Sequence, residues 1–258
     1  MNKIISAIRT LCPILVLVLG VVFLFVPFPF FVIESLFVMD FCFALYLFLI
    51  RLFTRKTISV LFPKQLIYFC IFTCAVAIAT TRTFLSTSDI NDQIPFIKFM
   101  GEWICRESCL CGFFATLGIC ILILEFCNLH IERTIRLSAD AFFDNASTNF
   151  IGLNLQQMNK TITAQDANLQ KSILEAKSRY YDSLKNASKF LTSTLLAFTI
   201  LFVVCAGGGT ATGILELHLY WKDSLYQYIP LSCGYLAIFI LPLFLASMSL
   251  CIGEKEEG

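Results

Sequence analysis

The sequence predicts an all-α fold: a polytopic helical membrane protein of about six transmembrane helices with one cytoplasmic helical segment. Three observations predict it. Apolar residues make up 58% of the 258-residue chain and charged residues only 14%, whereas a soluble domain is about 45–50% apolar and about 25% charged. The mean hydropathy of +0.80 is concentrated in runs near the roughly 20 residues a helix needs to cross the hydrocarbon. Lys and Arg crowd into alternate connecting segments, as in a chain of fixed membrane orientation.

The apolar runs fall at about 11–33, 35–50, 66–85, 107–128, 190–212 and 228–252. The first follows Lys3 and Arg9 and continues into Pro27-Phe28-Pro29-Phe30 with no small-residue cleavage site, so it reads as a retained span and not a signal peptide. Almost nothing separates it from the second, which predicts a tight helical hairpin with Pro27 and Pro29 at its turn. Arg51, Arg55, Lys56 and Lys64 lie between runs two and three. Arg133, Arg136, Lys160, Lys171, Lys177, Arg179, Lys185 and Lys189 lie between runs four and five. The opposite side holds Lys98 and Lys222 beside Asp89, Asp92, Glu102 and Asp223. The positive-inside rule therefore predicts both termini and residues 129–189 on the cytoplasmic side.

Within 129–189, Ile162, Leu169, Ile173, Ala176, Tyr180, Leu184 and Ala187 recur at helical spacing, with Glu175 and Arg179 paired on the wet face. No Pro or Gly separates this helix from the fifth run, so the two are able to continue as one. Asp144–Asn154, rich in Asn and Ser/Thr, reads as loop. Asn-x-Ser/Thr sequons begin at Asn145, Asn159 and Asn186, on the side where glycosylation has no meaning.

Ionisable groups at membrane depth are costly and are functional candidates by default. Glu34 falls at the outer hairpin turn, where headgroup solvation accounts for it. Asp40 falls about a turn and a half into the second span. Arg82 ends the third span, and either snorkels to the surface or pairs with Asp40, Glu34 or a neighbouring subunit. Arg106, Glu107 and Glu125 read as interfacial. Gly207-Gly208-Gly209 and Gly213 mark either a loose end of span five or a close helix contact.

Most of the twelve cysteines lie in apolar runs as small hydrophobes, Cys42, Cys70, Cys74, Cys120, Cys127, Cys205 and Cys233 among them. Cys105, Cys109 and Cys111 cluster, but without histidine partners or a second Cys pair they do not make a usual metal-ligand set. A disulfide is open to them where that end faces an oxidising compartment. There is no Gly-x-Ser-x-Gly, phosphate loop or His-Glu-x-x-His; His130 and His218 fall on opposite predicted sides. The expectation is a protein that is not an enzyme and needs no metal or cofactor. A net charge of +1 makes the lipid bilayer, not nucleic acid, the expected contact.

Read together, the spans and connecting motifs resemble the export-gate family of type III secretion and flagellar assembly (the FlhA/LcrD or FHIPEP family). Pro27-Phe-Pro-Phe-Phe-Val-Ile-Glu34 and then Asp40 are similar to the family's Pro-Leu-Pro-Pro-Phe-Leu-Leu-Asp hairpin with Asn six residues on. Phe62-Pro63 and Thr81-Arg82 keep the spacing of its third span, and Glu132-Arg133 its Glu-Arg after the fourth. Asp144 falls at its Asp-Ala-Met-Pro stretch. Tyr181 and Ala187-Ser188-Lys189-Phe190 match its entry into span five, and Gly208, Gly209 and Gly213 the glycines that end it. Asp223, Tyr228, Gly234 and Pro242 match around the sixth span.

The resemblance implies an inner-membrane component of a bacterial type III export apparatus. In the family, copies form a nonameric ring with other export-apparatus membrane proteins and help couple the proton-motive force to export of unfolded proteins. It implies export-gate roles for Glu34, Asp40, Arg82, Glu132, Arg133, Asp144 and Lys189, and packing roles for Pro27, Pro29, Gly208, Gly209, Gly213, Gly234 and Pro242. Four positions depart from the family. Thr194 and Tyr235 stand where it carries acids in spans five and six, and Thr73 and Ala77 where its third span has Arg and Asn. Neither Thr nor Tyr exchanges a proton near neutral pH as a carboxylate does, so a relay through those two positions is not expected. The family continues with two more spans and a large cytoplasmic domain, absent here, so the chain reads as a fragment, a split gene product or a reduced homologue. A degenerate scaffold without export activity and an unrelated small transporter or channel subunit are the alternative readings.

Overall fold

The computed structural model describes residues 22, 29–53, 61–86, 94–106, 108–159 and 163–252. Most of the first expected span, and Pro27 with it, lies outside the described residues. Among the described residues there is no strand. Seven α-helices among the described residues carry the fold: α1 (Phe30–Phe53), α2 (Phe62–Ser86), α3 (Pro95–Ile104), α4 (Cys109–Phe126), α5 (Arg133–Met158), α6 (Ala164–Leu215) and α7 (Trp221–Ile252). Five stretches of the described residues, in α1, α2, α4 with its continuation, α6 and α7, are long and apolar enough to cross a membrane. Their outward side chains are apolar, including Val38 and Phe41 on α1, Phe114 and Leu122 on α4, and Ile200 and Val203 on α6. A helix that is apolar all round needs either a protein core or lipid on every side.

Helix α1 begins directly after Pro29, whose carbonyl accepts from the Val32 amide at 2.9 Å. Proline has no donor to extend a helix backward, so residues 30–34 join the second span and are not the end of the first. Glu34 therefore lies in the second turn of α1. Asp40 lies about ten residues in, roughly 15 Å along the axis and near the middle of a bilayer core about 30 Å thick. Its depth is greater than the expected turn and a half.

The connection before α4 contains α3, a short amphipathic helix that starts with Pro95 in its first turn and buries Ile97 and Gly101. One further expectation fails. The Asn- and Ser-rich stretch 144–154 is not loop but the middle of α5, joined to α4 through a π-helical turn at Cys127–Glu132. Tertiary packing overrides the weak local propensity there. Ala139 and Ala146 are buried, Phe142 stacks on Tyr181 of α6 at 4.7 Å, and the Ser147 hydroxyl donates back to the Asp144 carbonyl at 2.9 Å. Across the same α5–α6 hairpin, Lys185 donates to Asp140 at 2.9 Å. That bond holds the Asp140 carboxyl below its ordinary value, so the contact persists above the unfolded carboxylate range and weakens only as pH falls through the lowered value. Helix α6 then runs unbroken for 52 residues from the hairpin into the membrane.

Helix α7 is the centre of the packing, with α1, α3, α4 and α6 against it. Phe239 gathers Phe37 of α1 at 5.4 Å, Phe198 of α6 at 5.2 Å and Tyr235 at 5.0 Å. Small residues set how close the neighbours come. A Cβ on Gly234 would sit 2.1 Å from the Ile97 carbonyl oxygen, and one on Gly101 2.0 Å from that of Pro230, so α3 and α7 meet backbone to backbone. Gly209 and Gly213 of α6 seat Tyr228 and Ser224 of α7, where a Cβ would come within 2.6 Å and 2.4 Å of side-chain atoms. Gly209 and Gly213 thus mark a helix contact within α6, which runs on to Leu215 and has no loose end at the glycines. Pro242, with Pro230, lies inside α7.

These contacts separate the glycines by consequence. Gly234→Ala forces a methyl into the α3 backbone and is expected to cost about 1–3 kcal/mol. Gly207→Ala meets open space within a helix and is expected to be neutral or to stabilise by up to about 1 kcal/mol. Thermal unfolding of the two variants in detergent checks the order.

Candidate functional site

The seven polar positions singled out in the sequence do not converge. Glu34 Oε1 accepts from the Phe96 amide at 3.3 Å, so this carboxylate caps the start of α3 and ties it to α1. Arg82 is exposed near the end of α2, nine residues beyond Thr73 and so roughly 14 Å along the axis from it. Glu132 ends the π-helical turn and Arg133 opens α5. Asp144 is exposed on α5, and its backbone carbonyl serves Ser147 and Thr148. Lys189 is exposed on α6.

What the structure does gather is Asp40 with the positions that depart from the resembled family, all around α2. Asp40 is 1% exposed, and among the described residues no other carboxylate is buried. The Thr73 hydroxyl donates to Asp40 Oδ1 at 2.6 Å, while Asp40 Oδ2 has no partner. Cys70 lies three residues before Thr73 and Cys74 directly after it, and Thr194 of α6 is also buried, its hydroxyl donating to the Phe190 carbonyl at 2.9 Å. One turn further along α2, the Tyr235 hydroxyl of α7 donates to the Ala77 carbonyl at 3.4 Å and meets Thr81 Oγ1 at 3.1 Å. The Cys205 thiol of α6 reaches the same Thr81 oxygen at 3.8 Å. The result is a buried polar seam joining α1, α2, α6 and α7, with one carboxyl at its end.

The Thr73 hydroxyl has a single proton and two acceptors in reach, Asp40 Oδ1 and the Phe69 carbonyl at 3.0 Å. Ionised Asp40 takes that proton as a hydrogen bond. Neutral Asp40 donates its own proton to Thr73, whose hydroxyl then turns to Phe69. Both protonation states of the acid are thus served by one rotation. Sequence reading found Asp40, but not its partner: Thr73 carries no signal beyond a hydroxyl in an apolar run. Helix α3 was legible in retrospect from Pro95 and the spacing of Ile94, Ile97, Gly101 and Ile104.

The model of the FHIPEP family matches residues 20–252. The chain is 23% identical to the flagellar biosynthesis protein FlhA of Borreliella burgdorferi over 91% of its own length and 35% of that protein's. It is 23% identical to Protein MxiA of Shigella flexneri over 92% of its length and 34% of the relative's. Against the invasion protein InvA of Salmonella typhimurium it is 24% identical, with the same coverage of 92% and 34%. The chain therefore spans about a third of the length of these curated relatives. No solved structure matches.

The Asp40–Thr73 pair yields a double-mutant test. Thr73→Val leaves a buried carboxyl without a partner and is expected to cost about 1–3 kcal/mol. Adding Asp40→Leu to Thr73→Val removes both polar groups and is expected to restore most of that loss. Unfolding midpoints of the two single variants and the double variant check it; additive losses count against the pair.

Proposed function

The chain belongs to the FHIPEP family, and from that premise we propose that it is the membrane part of a bacterial type III export gate, flagellar or virulence-associated. In this reading it lies in the inner membrane with both termini in the cytoplasm. Copies of it assemble in a ring beside other export-apparatus membrane proteins, and unfolded exported proteins are its cargo. It is not an enzyme. The observation that carries the reading is the family match over residues 20–252 in a chain with five membrane-length helices among its described residues.

We propose further that proton coupling runs through Asp40. Thr194 and Tyr235 lack a group that changes charge near neutral pH, whereas Asp40 is a carboxyl at membrane depth with one oxygen free and a hydroxyl partner able to serve both of its charge states. Buried intramembrane acids of this kind mark proton paths in transport proteins. The same two replacements favour a second reading, a degenerate homologue kept as a scaffold without export activity.

A deletion strain decides between them. The export reading expects loss of type III secretion into the medium and its restoration by the wild-type chain. Asp40→Asn keeps a hydrogen-bonding side chain beside Thr73 but cannot ionise, and is expected to restore membrane levels while secretion stays several-fold lower. Undiminished secretion in the deletion strain would support the scaffold reading. Full secretion with Asp40→Asn would remove Asp40 from the coupling.

A further inference from the structure

Where the α5–α6 hairpin meets the membrane, its two helices bring like charges together. Three contacts fix how the helices run past each other. Lys185 of α6 donates to Asp140 of α5 at 2.9 Å, Tyr181 stacks on Phe142 at 4.7 Å, and Lys171 donates to Gln157 at 3.3 Å. The helices are therefore antiparallel in one register. Residues four apart share a face of a helix, about 5.4 Å from each other along its axis. One turn from Lys185 toward the membrane is Lys189, and one turn from Asp140 in the same direction is Arg136. Arg136 and Lys189 thus lie side by side across the hairpin, on the same faces that join Asp140 to Lys185.

Both cations are exposed. Lys185 already holds Asp140. Among the described residues neither Arg136 nor Lys189 has an ion-pair partner of its own, and Glu132, one turn closer to the membrane than Arg136, pairs with neither. Their level is the edge of the apolar surface. Lys189 directly precedes Phe190, which is exposed, as are Leu196 and Ile200 further into the span. On the other arm of the hairpin, exposed Leu122 and Leu129 give way to Arg133 and Arg136.

Two cations at one level repel each other unless an anion lies between them. Packed helix axes stand about 8–10 Å apart, a gap that Arg and Lys side chains close on a group the size of a phosphate. The guanidinium presents two parallel N–H donors to two phosphate oxygens, and the ammonium donates to one of the same oxygens. We propose that Arg136 and Lys189 form a binding site for the phosphate of an anionic phospholipid, whose acyl chains lie against Phe190 and Leu129. A zwitterionic headgroup brings its own ammonium beside the two cations, so the site selects a headgroup of net negative charge. The bound lipid holds the hairpin at one height on the membrane surface. The inference does not depend on the export reading, and it holds for either orientation of the chain in the bilayer.

The test uses the full chain in detergent micelles containing equal amounts of phosphatidylglycerol and phosphatidylcholine with the same acyl chains. Bound lipid is counted by native mass spectrometry. The expected result is a preference for phosphatidylglycerol on the order of tenfold, as two cations near a headgroup give. Arg136→Gln with Lys189→Gln is expected to bring the two lipids near parity. Arg136→Lys with Lys189→Arg keeps both charges and is expected to keep the preference. Lys177→Gln with Arg179→Gln removes the same charge further along α6 and is expected to keep it as well. Equal retention of both lipids by the wild-type chain overturns the proposal, as does a preference that survives Arg136→Gln with Lys189→Gln. Loss of the preference in the charge-keeping exchange, or as large a loss in the Lys177 and Arg179 variant, also overturns it. Displacement of the lipid by millimolar inorganic phosphate assigns the site to free phosphate and overturns the lipid.

Discussion

In the hydrocarbon every polar atom must find its partner inside the protein, and this constraint organises the whole molecule. It makes the described chain helical throughout, since a helix satisfies its own backbone. It also dictates how hydroxyls are carried. Thr80 donates to the Val76 carbonyl, Thr194 to Phe190, Thr199 to Leu195 and Ser249 to Ala246, each within its own helix. With these groups locally satisfied, the seam around α2 stands out. There hydroxyls and thiols reach across helices, and one oxygen of Asp40 is left over. A carboxyl with one free oxygen at membrane depth is costly, which is why it carries the functional proposal.

Shape follows from a second property of the bilayer. Lipid is as apolar as leucine, so helices in it associate through close packing and not through hydrophobic exclusion from water. Helix α7 shows this along its length. Glycines seat it on α3 and α6, and aromatic rings around Phe239 fill the space toward α1 and α6 where the helices stand further apart. The connection between α2 and α4 is drawn into the bundle by the same means: Glu34 caps α3 at one end, and Gly101 and Gly234 press it on α7.

The polar seam lies where the chain departs from the resembled pattern. Thr73, Thr194 and Tyr235 stand at positions that carry ionisable side chains in that pattern, all three are buried, and the acid of the seam, Asp40, sits on α1. The relatives identified as flagellar biosynthesis and invasion proteins share 23–24% identity with the chain, and helix packing tolerates apolar exchange of similar volume.

The sequence by itself determined the membrane class, the number of long apolar runs and the helical stripe of residues 162–187, because length and periodicity of apolar residues are local properties. It also pointed to Asp40, since a carboxylate in an apolar run stands out without any fold. Other features were decided only by tertiary structure. Residues 144–154 read as loop, yet they form helix because Ala139, Ala146 and Phe142 find α6 to pack on. The glycines of α6 read in sequence as a loose end before a contact, and only Tyr228 and Ser224 against Gly209 and Gly213 make them a contact. Thr73 and Cys109 gained partners from segments 33 and 116 residues away. No local pattern encodes such a pairing, because a hydroxyl or thiol in an apolar run has the same neighbours in sequence whether or not another helix brings it a partner.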